Sequence, residues 1–237
     1  MRGALLITPA PSPNFDKRDP LVPLRYVVLH YTGMKSGEEA LARLRDPAAK
    51  VSAHYLIEED GRVFALVEES ARTWHAGKSF WRGVTDLNSA SIGIELVNPG
   101  HEFGYRAFSK PQIASLVPLV QDIVARHRLD PRQALLAHSD IAPQRKQDPG
   151  ELFPWRELAE QGLGVWPAPA ASSQPATCAE TQNLLRGVGY DCPNSHVYDD
   201  PTRAALMAFQ RRFDPQNLTG MPEPQTTAML RAVTRML

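Results

Sequence analysis

Between Ala137 and Pro149 the chain reads A-H-S-D-I-A-P-Q-R-K-Q-D-P. Prolines and turn formers at this density argue against a helix, so the stretch reads as a loop that places side chains. It holds His138, Lys146 and Asp148. An imidazole and a carboxylate ten positions apart supply two ligands of a zinc-type site, which then requires a third from elsewhere in the chain.

With 237 residues, 43% of them hydrophobic and 22% charged, the chain has room for one medium domain and a small one. Lysine plus arginine (26) equals aspartate plus glutamate (26), so no overall basic field exists to hold a nucleic acid or an anionic membrane. No stretch approaches the ~18 consecutive apolar residues of a membrane span. At the start, the apolar run Ala4–Ile7 falls short of the roughly seven to fifteen residues of a secretory signal. The expectation is a cytoplasmic location, with the cell envelope as the alternative if a signal or lipobox has been trimmed. Cys178 and Cys192 either close a small loop or stay as two thiols.

Residues 11–24, rich in proline, read as an extended entry segment, and Arg25–Thr32 (R-Y-V-V-L-H-Y-T) as a buried strand with His30 near its carboxyl end. Ser36 and Glu39 form a capping box for a short helix. Ala53–Glu59 and Arg62–Val67 flank Asp60-Gly61, the signature of a tight hairpin. Thr73–Gly83, with two tryptophans and a histidine, has the composition of a recognition loop, and Ser91–Val97 is a strand with one carboxylate, Glu95. Ser109–Arg128 is predicted as the longest helix, with Ile113, Leu116, Val117, Val120 and Val124 on its buried face and a kink at Pro118. Ala134–Ala137 is a short strand delivering His138, and Trp155–Gln161 a short closing helix.

Val165–Thr177 has the small-residue and proline composition of a linker. Beyond it, helical patterns over about 177–188, 201–213 and 223–236 predict a three-helix module. The fold class is therefore α/β, a central mixed sheet flanked by helices, plus a small all-α C-terminal domain. The boundaries are 1–165, a linker at 166–176, and 177–237.

Among the histidines, His127 reads as a core-edge side chain, His101 and His196 as surface residues, and His54 as a structural hydrogen-bonding residue. His30 and His138 differ because each ends an apolar strand, where strand ends in one sheet can meet, and Asp148 can complete the set. Two imidazoles and a carboxylate leave zinc's fourth position to water, the arrangement of a catalytic site. The other reading is a strand-end histidine pair without metal.

V-L-H-Y-T at 28–32, T-W-H-A-G at 73–77, S-I-G-I-E-L-V-N at 91–98 and H-S-D-I-A-P-Q-R-K-Q-D-P-G at 138–150 together resemble the zinc-dependent N-acetylmuramoyl-L-alanine amidases of the AmpD/AmiD type, over roughly residues 20–165. The resemblance implies an amidase and peptidoglycan-recognition-protein-like fold with one zinc per chain on His30, His138 and Asp148. It implies Glu95 and Lys146 as the catalytic pair, and Trp74, His75 and Asn88 toward the substrate. Similar phage amidases carry a tyrosine just before the second-strand histidine, where this chain has Ala53. Residues 176–237 resemble the peptidoglycan-binding three-helix domain, with Tyr198-Asp199-Asp200 in place of its usual Asp-Gly. The expected partner is peptidoglycan or a muropeptide, cut at the amide between the lactyl group of N-acetylmuramic acid and L-alanine. The alternative is a recognition module that binds without cutting.

Overall fold

The computed structural model describes residues 5–168 and 174–237. In chain order the elements are β1 (Ile7–Pro9), β2 (Phe15–Lys17), β3 (Tyr26–Tyr31), α1 (Gly37–Arg45), β4 (Tyr55–Ile57), β5 (Val63–Ala65) and β6 (Ala71–Thr73). There follow α2 (Leu87–Ala90), β7 (Ser91–Leu96), α3 (Gly100–Phe103), α4 (Lys110–Arg126), β8 (Leu135–Ala137), α5 (His138–Ile141) and α6 (Trp155–Glu160). The last three helices are α7 (Cys178–Val188), α8 (Asp200–Phe213) and α9 (Pro224–Met236). The central sheet has the order β1-β5-β4-β7-β3-β8, and β2 pairs with β6 in a separate ribbon. Among the described strands the β4–β5 pairing is antiparallel, so β1 and β5 run opposite to β4, β7, β3 and β8 and the central sheet is mixed.

β3 and β7 lie in the middle, and a strand covered on both faces is apolar on both faces. Alternation then sorts their side chains. Val27, Leu29, Ile92 and Ile94 join the cluster with Leu116, Leu119, Val120 and Ile123 of α4. Val28 and Leu136 face the other way, into a cluster with Leu185, Tyr190, Leu206, Phe209 and Leu230 of the C-terminal helices. The three-helix module thus shares a core with the sheet. Trp81 meets Tyr190 edge-on at 5.0 Å, and Arg82 Nε donates to the Val188 carbonyl (2.9 Å). At Gly189 an added Cβ would lie 2.8 Å from the Trp81 ring, and φ is +140°, so the contact needs glycine.

Local signals hold at several places. Ser36 caps α1 by accepting from Glu39 N, and Ser109 caps α4 by accepting from Gln112 N. The Gln112 side chain does not reach back as a capping box would. It donates to the carbonyls of Ile57 and Val97, stitching α4 to the carboxyl ends of β4 and β7. Helix α4 continues through Pro118 and buries Leu119 and Ile123, whereas Ile113 and Val117 are only partly covered. The hairpin turn spans 58–62 rather than two residues, closed by Glu58 N to Arg62 O (2.9 Å) with Gly61 at φ +89°. Residues 15–17 form a strand inside the expected entry segment at 11–24, and 7–9 form another just before it. The first residues of the expected linker are packed: Val165 is buried and Trp166 lies 5.9 Å from Phe213; positions 169–173 fall outside the described residues. Cys178 and Cys192 are free thiols. No helix among the described residues is long and apolar enough to cross a membrane.

His127 ends α4 and bonds Glu69, which also accepts from Arg126 (2.7 and 2.9 Å) and from the Tyr55 hydroxyl (2.6 Å). Burial alone would raise the Glu69 pKa, but the hydrogen bonds from Arg126, His127 and Tyr55 outweigh it and lower it to about 2. The folded state therefore holds this carboxylate ionised where the unfolded chain, with a pKa of about 4.3, takes up a proton. Its contribution is complete above the unfolded value and disappears as pH falls toward about 2. Thermal unfolding measured across that window should show the wild type losing stability on acidification more steeply than Glu69→Gln.

Candidate active site

The register of the parallel strands assembles the site. β3 pairs with β7 so that His30 lies beside Glu95, and with β8 so that Leu29 lies beside Ala137, one residue before His138. Both histidines emerge at the carboxyl ends of parallel strands, where α/β sheets place ligands. His138 opens the one-turn helix α5, a helical turn that the proline-rich composition does not suggest. Asp148 returns to the same point because Ser139 N donates to the Asp148 carbonyl (2.9 Å), closing the loop between them.

His30 Nδ1 lies 2.9 Å from His138 Nδ1, and each is 3.0 Å from Asp148 Oδ2. All three residues are buried. Their outer nitrogens fix the tautomers. His138 Nε2 is 3.2 Å from the Ala76 carbonyl, so it carries the proton and leaves Nδ1 a bare lone pair. His30 Nε2 is 2.9 Å from His75 Nδ1, His75 Nε2 is 3.2 Å from Ser91 Oγ, and Ser91 donates to the Leu87 carbonyl. Read back from that carbonyl, each donor is forced, and the His30 Nδ1 lone pair also faces inward. Two lone pairs and a carboxylate oxygen then meet with no proton between them. That arrangement is repulsive by itself and suits a cation, and these three residues form a possible metal site.

The electrostatics agree. Burial, reinforced by His138, lowers the His30 pKa to about 4, and burial drives His75 well below the ordinary histidine value. Burial would raise Asp148, but positive charge at the histidine pair outweighs it and holds the carboxylate well below the usual range; with both Nδ1 atoms bare, that positive charge is the place of a cation. Glu95 is the exception: burial first and the Asp148 charge second push its pKa well up, with Lys146 pulling the other way. Its Oε2 is buried without a hydrogen-bond partner among the described residues. Lys146 thus acts on Glu95 and on His30 alike.

A family profile described as N-acetylmuramoyl-L-alanine amidase matches residues 20–151, and a peptidoglycan-binding-domain profile matches 177–230. The sequence is 40% identical over 235 residues to the N-acetylmuramoyl-L-alanine amidase AmiD of Escherichia coli, covering 89% of this chain and 82% of that protein. The chain belongs to the N-acetylmuramoyl-L-alanine amidase family. It is also 32% identical over 161 residues to the 1,6-anhydro-N-acetylmuramyl-L-alanine amidase AmpD of Haemophilus influenzae, covering 61% of this chain and 85% of that one. The E. coli AmiD structure in complex with the substrate anhydro-N-acetylmuramic acid-L-Ala-D-gamma-Glu-L-Lys matches with a TM-score of 0.81 at 38% identity, over 91% of this chain and 90% of that one. These relatives are hydrolases, which favours catalysis over the non-catalytic reading.

In this amidase the three residues expected toward substrate separate. Trp74 is partly exposed, its indole nitrogen donating to Asp16 Oδ2 (3.1 Å). His75 and Asn88 turn inward instead, because each is already committed to protein partners. His75 lies behind His30 and against Gly93, where a Cβ would stand 2.6 Å from its ring. Asn88 Oδ1 accepts from the backbone of His75 (3.0 Å) and Ala76 (2.8 Å). His54 is structural: its Nδ1 accepts from Gly93 N (3.0 Å), and burial beside Arg18 lowers its pKa to about 3. Arg18 is invisible to motif reading, a lone arginine in the entry segment, yet it donates to the carbonyls of Asn88, Ser89, Ser91, Glu69 and Ala71. Arg145 ties the loop between His138 and Asp148 to the carbonyls of Ala76 and Lys78.

Asn88→Ala strips the acceptor from two buried N–H groups. Denaturant unfolding should register a loss of at least about 1–3 kcal/mol, the penalty for an unsatisfied buried donor.

Proposed function

We propose that the chain is a zinc hydrolase that cuts the amide between the lactyl group of N-acetylmuramic acid and L-alanine, in peptidoglycan and in anhydro-muropeptides, using one zinc on His30, His138 and Asp148. The observation that carries the reading is the inward-facing, proton-free triangle of donor atoms with Glu95 on the adjacent strand. The same donor set serves iron(II) in oxygenases. Amide hydrolysis has no redox step, and family membership therefore favours zinc. The ligand named in the AmiD complex supports the muropeptide substrate, and the peptidoglycan-binding profile at 177–230 supports the polymer.

Zinc bound by the triad supplies Lewis acidity, bringing a water's pKa to roughly 7 and polarising a carbonyl. Glu95 is the proton carrier. As a carboxylate it accepts a proton from the attacking water, which its burial makes favourable, and as the resulting acid it passes that proton to the departing amine; among the described residues no hydrogen bond on Oε2 has to be broken first. Lys146 presents a cation to the oxygen that becomes negative when the carbonyl is attacked. His75 and the Ala76 carbonyl hold the two imidazoles in the tautomers that leave Nδ1 free. Trp74 offers the exposed surface of that loop to sugar or alanine methyl.

Metal analysis of purified protein should find about one zinc per chain, with chelation abolishing turnover and zinc restoring it. Glu95→Gln should keep the metal and lose about 10²–10⁴ in turnover. Lys146→Met should lose about 10²–10³. Mass spectrometry of digests of sacculi and of anhydro-muropeptides reads both substrates. A native protein that carries no metal and binds muropeptides uncut would overturn the proposal.

A further inference from the structure

Asp140 lies two residues beyond His138 in α5 and is 0% exposed. Among the described residues its carboxylate has three donors, of which the loop supplies one, Ala137 N to Oδ2 (2.9 Å). The other two come from the three-helix module: Arg212 Nη1 to Oδ2 (2.7 Å) and the Tyr190 hydroxyl to Oδ1 (2.6 Å). Arg212 Nη1 also donates to the Leu135 carbonyl of β8 (3.0 Å), and its guanidinium lies 4.2 Å from the Trp155 ring centre. The preceding residue, Arg211, donates through Nη2 to Gln147 (3.2 Å), the residue between Lys146 and Asp148. Adjacent arginines on α8 therefore grip the active-site loop near both of its ends.

A four-residue helix has too few internal hydrogen bonds to hold its own orientation. A buried carboxylate stripped of its cation is strongly unfavourable, so the turn would move to rehydrate it. We propose that the helical module is part of the active site's construction: Arg212 and Tyr190, acting through Asp140, are positioning residues that set the direction of His138 toward the metal. The inference rests on the zinc reading above and extends it to residues that lie 50 and 72 positions from Asp140 in sequence.

The test uses the full chain, stripped with chelator and titrated with zinc against a chromophoric competitor. Arg212→Met should raise the zinc Kd by about 10- to 100-fold, with Tyr190→Phe moving in the same direction and Arg212→Lys recovering part of the loss. Arg82→Met serves as the control, because it removes a contact from the same interface without touching Asp140; its zinc Kd should stay within about twofold of wild type. If Arg212→Met does not fold, Tyr190→Phe decides. Folded Tyr190→Phe and Arg212→Lys proteins with wild-type zinc affinity would overturn the proposal, as would equal losses in Arg82→Met and Tyr190→Phe. If the wild type itself takes up no zinc, the metal reading fails on its own. Amide hydrogen exchange over residues 138–150 then decides the clamp: faster exchange in Tyr190→Phe than in Arg82→Met upholds it, and equal exchange overturns it.

Discussion

Backbone hydrogen bonds that lock β3 between β7 and β8 determine where every reactive group arrives. Because side chains alternate along a strand, Val28 and His30 share a face, and the parallel register lays Gly93 and Glu95 beside them. Slipping β7 by one residue would send Glu95 to the α4 side and bring an isoleucine or leucine beside His30. Gly93 belongs to the same constraint, since only a residue without a side chain leaves room for the His75 ring.

The chemistry depends on a contrast between neighbours. The imidazoles are buried, and their outer nitrogens are committed to His75 and to the Ala76 carbonyl, so the inner lone pairs face a place that suits a cation. Glu95, on the neighbouring strand, is left with an oxygen that has no hydrogen-bond partner among the described residues. One set of groups is fixed in its protonation and the other is free to change it, which is the division a hydrolytic centre requires.

Much of this was legible in the sequence. Strand-end histidines after apolar runs, and a proline-bounded loop carrying a lysine and an aspartate, are local patterns, and they lead to His30, His138, Lys146 and Asp148. The helices of the C-terminal module follow from periodicity within a residue or so. What escapes local reading is decided by packing. His75 sits in a loop whose composition suggests exposure, yet a gap above Gly93 in a distant strand draws it inside. Arg18 has no pattern around it, and its bonds run to carbonyls as far as Ser91. β1 is three residues long and exists because β5 offers it an edge. The pairing of Asp140 with Arg212 joins two segments whose separate motifs give no hint of each other.

The core shared by Val28, Leu136, Tyr190 and Phe209 also bears on how such a protein can be rebuilt. Grafting a different wall-binding module after residue 165 would uncover an apolar sheet face and leave Trp81 without its lid. The two halves must therefore be inherited or redesigned as a pair, with the interface around Gly189 treated as interior rather than as a hinge.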